Sequence, residues 1–449
     1  MATDYGILNR LSVDQSIDRG REKSKSRVLL YCINYAPELT GISKYTAEMA
    51  EWLVESGVEV SVVTAPPYYP AWRIDPAYSA VRYQRERIEG VSVFRCPIWV
   101  PRQVTGFKRI VHLASFALSS LPVILWLSIR IRPKLILVVE PPLFTAPAAW
   151  MAARLSGASA WLHVQDFEVD AAFGLGILRA RGLQRLVLSF EGWLMRRFDQ
   201  VSTISQNMVK RLVSKGVKIE RARFFPNWVR LDRIFPIPRP TSLRTQNFRD
   251  DQIVVLYSGN FGKKQGLEII IEAAKILNEQ GNDRIHFLLC GDGVTAQELR
   301  ESAKGLPNIS FWPLVAADLL NELLNLADIH ILPQRADAQD LVFPSKLTNM
   351  FASGRPVVTT ANPGTQIAEI VHDCGLIVAP GDPEALTIAL KTLADDSGRR
   401  VLLGAAARRV AEKLWDKNKV LESIFGMHIG STDDVLPPSK PGTTTQRSV

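Results

Sequence analysis

The chain has 449 residues, about three times the common domain size, with 47% hydrophobic and 22% charged residues, which excludes a disordered or fibrous protein and predicts sizeable cores. The net charge of +9 suits a partner that carries phosphates: a nucleic acid, a nucleotide or the anionic face of a membrane. Cys32, Cys96, Cys290 and Cys374 lie far apart with no C-x-x-C pair, which argues against a disulfide framework or a zinc site and fits a reducing cytoplasm.

Residues 1–26 are polar and charged, ending in RGREKSKSR, and no apolar stretch follows that a signal peptide would need. They are predicted to be a disordered basic tail of a protein that is not exported. Short β-branched runs then predict strands at Val28–Ile33, Val58–Thr64, Val91–Phe94, Leu135–Val139, Ala160–Val164 and Val201–Ile204, with a helix at Lys44–Glu55 between the first two. Residues 236–250, punctuated by Pro236, Pro238 and Pro240, read as a linker between predicted domains at 27–235 and 251–425. Beyond it, strands are predicted at Ile253–Tyr257, His286–Leu289, Ile309–Phe311, Ile329–Leu332, Val357–Thr359 and Leu376–Val378. A helix at Leu267–Leu277 puts Leu267, Ile270, Ile271, Ala274 and Leu277 on one face. Residues 426–449, rich in Pro, Ser and Thr, are predicted to be a second disordered tail. Several strands are continuously apolar, and the alternation of strand and helix predicts an α/β protein with two doubly wound parallel sheets covered on both faces.

Ile110 to Ile129 is a largely apolar run between Lys108-Arg109 and Arg130, Arg132 and Lys134, long enough to span a bilayer. His112, Ser115 and Ser119 make a polar stripe at helical spacing, Pro122 interrupts the run, and a strand follows at once, so a membrane span is rejected. Two readings stay open: an interfacial helix with a basic rim, or a buried core helix.

The densest chemical signal is Val254–Gly266, VVLYSGNFGKKQG, a strand that breaks into glycines and lysines and then opens a helix. Gly259 and Gly262 let backbone N–H groups approach a ligand, and a helix starting near Lys264 points its positive end at the same spot. This suits a diphosphate, although the loop is neither a G-x-G-x-x-G fingerprint nor a P-loop. Elsewhere, the strand ending in His163-Val164 is followed by Asp166, Glu168 and Asp170, a cluster suited to acid–base work. A lone histidine at a strand end is more often a satisfied structural residue, and the clustered acids tilt His163 toward function.

NYAPELTG after the first strand, HVQDFE in mid-domain, FPNWVRLD before the linker and YSGNFGKKQG after it occur in that order. LLCGDG, ADIHILPQ, PSKLTNMFASGRPVV and GLIVAPGDPEAL follow. Over roughly residues 27–425 the chain resembles the retaining glycosyltransferases of family four, with the GT-B fold, and more narrowly is similar to the colanic-acid fucosyltransferase type. The resemblance implies two Rossmann-like domains facing across a cleft, the first binding the acceptor and the second a nucleotide sugar. It implies retention of configuration, no cofactor and no metal, and no D-x-D triplet occurs in the chain.

Carried over by position, Gly259, Asn260 and Gly262 would cradle the donor diphosphate. The family has Arg where Asn260 stands and Lys where Gln265 stands, which shifts the expected charge to Lys263 and Lys264. The family's glutamate pair falls on Leu341 and Asn349; the Asn349 amide, with the neighbouring Asp340, remains for the ribose. Ser345 and Lys346 are expected at phosphate, Gly41 would reach the donor from the first domain, and Gly291 would turn beside it. His163 would bond the transferred sugar, and Asp166 would position or deprotonate the acceptor hydroxyl. The function implied is sugar transfer, narrowly fucose from GDP-fucose, onto a lipid-linked saccharide in exopolysaccharide synthesis. The partners implied are the nucleotide sugar, the lipid-linked acceptor and the inner face of the cytoplasmic membrane, and no nucleic acid. An epimerase acting on nucleotide sugars with the same fold is the alternative; a non-catalytic lipid-saccharide binder is the other, favoured by the missing glutamates.

Overall fold

The computed structural model describes residues 26–429 apart from 39–40, 104, 141–143, 168–180, 239 and 337–344. The first sheet comprises β1 (Arg27–Tyr31), β2 (Glu59–Thr64), β3 (Gln84–Ile88), β4 (Val91–Arg95), β5 (Leu135–Glu140), β6 (Ser159–Val164), β7 (Gln200–Thr203) and β8 (Ala222–Phe224). Its order is β3-β4-β2-β1-β5-β6-β7-β8, with every neighbouring pair parallel except β3 and β4. Around it run α1 (Ile42–Glu55), α2 (Gly106–Ile131), α3 (Ala146–Ser156), α4 (Arg181–Met195) and α5 (Gln206–Ser214). Side chains alternate across the strands: Val28 and Leu30 of β1 pack with α1 residues such as Met49 and Leu53. Leu29 and Tyr31 point to the opposite layer, with Phe116 and Ile124 of α2 and Ala149 of α3.

The second sheet follows α6 (Ser242–Asn247) and alternates β9 (Ile253–Ser258), α7 (Glu268–Glu279), β10 (Ile285–Cys290), α8 (Ala296–Ser302), β11 (Ile309–Trp312), α9 (Leu320–Leu326) and β12 (Ile329–Leu332). It continues with α10 (Lys346–Ala352), β13 (Val357–Thr360), α11 (Gln366–Val371), β14 (Gly375–Val378), α12 (Pro383–Asp395), α13 (Ser397–Leu414) and α14 (Lys417–Ile429). The order is β11-β10-β9-β12-β13-β14, parallel throughout. In each sheet the winding reverses once, between β1 and β5 and between β9 and β12. Crevices open at such reversals, outside the carboxyl ends of the strands, and the NYAPELTG and SGNFGKKQG loops leave β1 and β9 at these points.

All the predicted strands are present with slightly shifted ends, and two were not predicted. β3, QRERI, is a charged antiparallel edge strand with no apolar run to announce it, and β8 has only three residues. The helix expected near Lys264 begins later. Lys263–Gln265 form a separate 3₁₀ turn, and Gly266 at φ 62° ends it before α7 starts at Glu268. The predicted second domain also ran too far, because the chain crosses back before its end. Val229 accepts from and donates to the segment just ahead of α14, and Val420, Leu421 and Phe425 of α14 pack with Val28, Trp161 and Trp228 of the first domain.

α2 is buried along one face and exposed along the other. Leu113, Phe116, Ile124 and Leu127 are buried against the sheet, whereas Phe107, Ile110, Val111, Leu118, Trp126 and Ile129 form an exposed apolar stripe. Among the described residues it is the one helix long and apolar enough to cross a membrane, with mean hydropathy 1.9. It nevertheless joins β4 to β5 of a single sheet, so its buried face belongs to the domain core.

Candidate active site

β9 is buried along its length and delivers the chain to Gly259, whose φ of 138° is a glycine conformation. The Gly259 amide donates to Cys290 O at 2.8 Å and the Phe261 amide to Asp292 O at 2.8 Å, which fastens this loop to the one after β10. A β-carbon on Gly291 would collide with Gly259 O, and one on Gly293 would lie 2.5 Å from Phe261 O. Gly291 is therefore a packing glycine: its amide donates to Trp312 O at 3.0 Å, and it backs the phosphate loop from behind. Among the described residues the Asn260 and Gly262 amides have no protein acceptor, and these are the donors the loop offers to a ligand.

Lys346, the first residue of α10, reaches back over this loop. Its ammonium lies against Gly259, donates to the Tyr257 hydroxyl and sits 4.3 Å from the centre of the Tyr257 ring. The Tyr257 hydroxyl in turn donates to Asn260 O at 2.7 Å, so the cation is tied to the backbone of the glycine turn. No carboxylate pairs with Lys346 among the described residues, and burial pulls its pKa down to about 7. A half-buried lysine without an acid partner is costly unless an anion completes it. Tyr257, inside the run read only as a strand, was not singled out from sequence; a tyrosine ending a core strand just before a glycine turn was the available signal.

The first domain meets the same place. Gly41 takes φ 68° and ψ −141°, open only to glycine, and α1 starts after it with no side-chain cap and no acid in its first turn. One turn on, Tyr45 comes up against Ser345 of the second domain. Ser345 occupies the N-cap position of α10 but makes no capping bond. α1 is held by Glu48, which accepts from Trp228 Nε1 at 2.7 Å, and Tyr45 meets the Trp228 ring edge-on at 5.3 Å, which gives the tryptophan of FPNWVRLD its place. Glu38 fixes the loop ahead of α1. Buried, it accepts from the amides of Tyr68 and Tyr69 at 2.8 Å each and from Asn34 Nδ2 at 2.9 Å, while burial pushes its pKa upward.

The remaining expected residues are less concentrated. Lys263 and Lys264 are exposed, and Lys263 lines a recess with Glu268, Glu272, Glu298 and Arg335, so the amine held against the glycine turn is Lys346 rather than this pair. Asn349 is half-buried on α10, and Asp340 lies outside the described residues. His163 is buried. Its Nδ1 lies 2.8 Å from Ser202 Oγ and its Nε2 2.9 Å from Gln165 Nε2, whose amide also exchanges two 3.0 Å bonds with Asn227. Gln165 donating to Nε2 fixes the Nδ1–H tautomer, and burial drives the pKa down to about 3. Both nitrogens are spent within the protein, so bonding the transferred sugar would require that network to open. Asp166, two residues past the strand end, is half-buried, and Glu168 and Asp170 lie outside the described residues. Among the described residues no three His, Cys, Asp or Glu side chains gather as a metal site.

Comparison with known proteins bears on the family and the fold. The family described as "Glycosyl transferase 4-like domain" matches residues 40–228, and "Glycosyl transferases group 1" matches residues 252–396. The Escherichia coli protein WcaI, named as a colanic acid biosynthesis glycosyl transferase, is 42% identical over 413 residues, covering 89% of this chain and 98% of that protein. The sulfoquinovosyl transferase SQD2 of Arabidopsis thaliana is 24% identical over 351 residues, covering 74% of this chain and 66% of its own. Sucrose-phosphate synthase of Thermosynechococcus elongatus superposes with a TM-score of 0.71 at 19% identity, over 90% of this chain and 98% of the other. Anabaena HepE in complex with UDP-glucose does so at 0.65 and 15%, over 90% and 99%. The two matched families, the near full-length relative and the two facing doubly wound sheets together show that the chain belongs to the glycosyltransferases of the GT-B fold.

Proposed function

We propose that the chain transfers a sugar from a nucleotide-sugar donor to a lipid-linked saccharide on the inner face of the cytoplasmic membrane, in assembly of an exopolysaccharide of the colanic-acid kind. The observation that carries this reading is Lys346, enclosed over Gly259 with no acid partner among the described residues and facing the start of α1 through Ser345 and Tyr45. A diphosphate placed there receives the Asn260 and Gly262 amides and the Lys346 charge. The acceptor hydroxyl then attacks C1 of the bound sugar as the bond from C1 to the phosphate oxygen breaks. The leaving diphosphate keeps the electron pair, stabilised by the ammonium, and takes the hydroxyl proton. Attack from the leaving-group side retains the anomeric configuration, and cation and amides fill the part a metal would otherwise play.

The identity to WcaI supports the pathway, and GDP-fucose is the donor proposed, from the family resemblance alone. The exposed stripe of α2, with Lys108 and Arg109 at one end and Arg130 and Arg132 at the other, supports peripheral attachment to anionic lipid. The test is turnover of a panel of nucleotide sugars with a lipid diphosphate saccharide in EDTA, the product's anomeric configuration being read by NMR. Retained configuration with GDP-fucose in EDTA is expected. Donor conversion without acceptor, or activity only with added divalent metal, contradicts it.

A further inference from the structure

We infer that a cavity at the carboxyl ends of β2 and β4, roofed by the first half of α2, holds the acceptor's head group, a saccharide on a lipid-linked phosphate or diphosphate. This rests on the transferase reading above. The cavity encloses about 880 Å³, the scale of a small-molecule site, and its walls include Trp72, Arg73, Trp99, Arg102, Ser115 and Ser119.

The chemistry of the walls divides by role. Indole faces cover the apolar face of a pyranose ring, and free guanidinium groups grip phosphate oxygens bidentately. Neither Arg73 nor Arg102 has a carboxylate partner among the described residues. The two serines shape the wall rather than offer donors, because Ser115 Oγ donates to His112 O at 2.7 Å while accepting from the Trp99 amide at 3.0 Å, and Ser119 Oγ donates to Pro97 O at 2.5 Å.

Two further observations mark the place. Trp72 holds φ 50°, a left-handed conformation rare for a bulky residue, and its ring packs 5.7 Å from Tyr68 and 5.3 Å from His112. His112 is buried, with Nδ1 2.7 Å from Trp99 O, and its Nε2 has no partner among the described residues, a buried polar atom left unused within the protein. Strain at Trp72, in the wall itself, is a cost that a ligand site explains, and His112 stands behind the Trp72 ring. The same half of α2 carries Phe107, Val111 and Leu118 of the exposed stripe, so a lipid chain leaving the cavity meets apolar surface. That continuity favours a lipid-linked head group over a free phosphate.

The test is calorimetric titration of the full chain with decyl glucosyl diphosphate, beside decyl glucoside and inorganic diphosphate. The whole probe should bind at least about tenfold tighter than either fragment. Arg73→Ala with Arg102→Ala should weaken it about tenfold or more, and Trp99→Ala several-fold, with GDP or UDP affinity and melting temperature unchanged. Equal affinity in the variants, no binding of the probe to the wild-type chain, or inorganic diphosphate binding as tightly as the probe overturns the inference while leaving the donor site standing. Failure of the wild-type chain to bind any nucleoside diphosphate would instead bring down the transferase reading itself.

Discussion

A β-carbon built on Gly259 would run into Cε and Nζ of Lys346, so the glycine is what allows an ammonium to rest on the backbone of the β9 loop. Gly259→Ala should displace the lysine's flexible end rather than unfold the domain, while its φ of 138° costs about 1–2 kcal/mol in an alanine. The expected result is about tenfold weaker nucleoside-diphosphate binding with a modest fall in melting temperature. Unchanged affinity by calorimetry would separate the lysine from the ligand.

Lys263 and Lys264 should matter less than their sequence position suggests. Both are exposed, and Lys263 shares its recess with Glu268, Glu272, Glu298 and Arg335. Replacing both with Ala should cost no more than about 1 kcal/mol of donor binding, the scale of exposed charges. A hundredfold loss in the same titration would return the diphosphate to this turn.

His163 and Asp166 should part company. Truncating His163 leaves Ser202 and Gln165 without their partner inside the core, so His163→Ala should lose about 2–4 kcal/mol of stability. Its turnover, measured well below the melting point, should stay within a few-fold of wild type. Because burial holds its pKa near 3, no inflection of rate between about pH 6 and pH 8 should vanish with it. Asp166→Asn should keep its melting temperature and lose about 10²-fold in turnover. The opposite pattern would make His163 the reacting group.

Phe107 and Leu118 are 76% and 72% exposed, so Phe107→Asp with Leu118→Asp should leave stability nearly unchanged. Sedimentation with vesicles of phosphatidylglycerol should fall about tenfold or more, and wild-type binding should weaken with salt. Equal sedimentation of the double variant would remove α2 from the membrane surface.

The fold was legible because its strands are apolar runs buried on both faces and its turns carry the glycines. β3 escaped for lack of an apolar run, and α14 because nothing local tells a helix which sheet it will cover. At the site, Gly259, Gly41 and Lys346 were readable from their place in glycine turns and at a helix start. The rank order of the lysines was not, since only packing reveals that Lys346 is enclosed by Tyr257 and Gly259 while Lys263 faces acids. His163 looked chemical beside clustered acids, and only the Ser202 and Gln165 contacts show its nitrogens already spent.

Lys346→Met is the most direct test. Lys346 titrates near 7 in the free fold against about 10.4 in an unfolded chain. Between those values the unfolded state binds the extra proton, so wild-type stability should rise with pH from about 7 to about 10, a slope the methionine removes. Removing a cation that has no acid partner among the described residues should leave the melting temperature at pH 7 equal or higher. A bound diphosphate favours the charged amine, so wild-type affinity for GDP and UDP should fall as pH climbs from about 7.5 to 9.5. Calorimetry of Lys346→Met at pH 7.5 should show affinity lower by about 2–3 kcal/mol and flat with pH, with the fold intact. Wild-type affinity in a stably folded Lys346→Met chain would contradict the assignment of the donor diphosphate to this lysine.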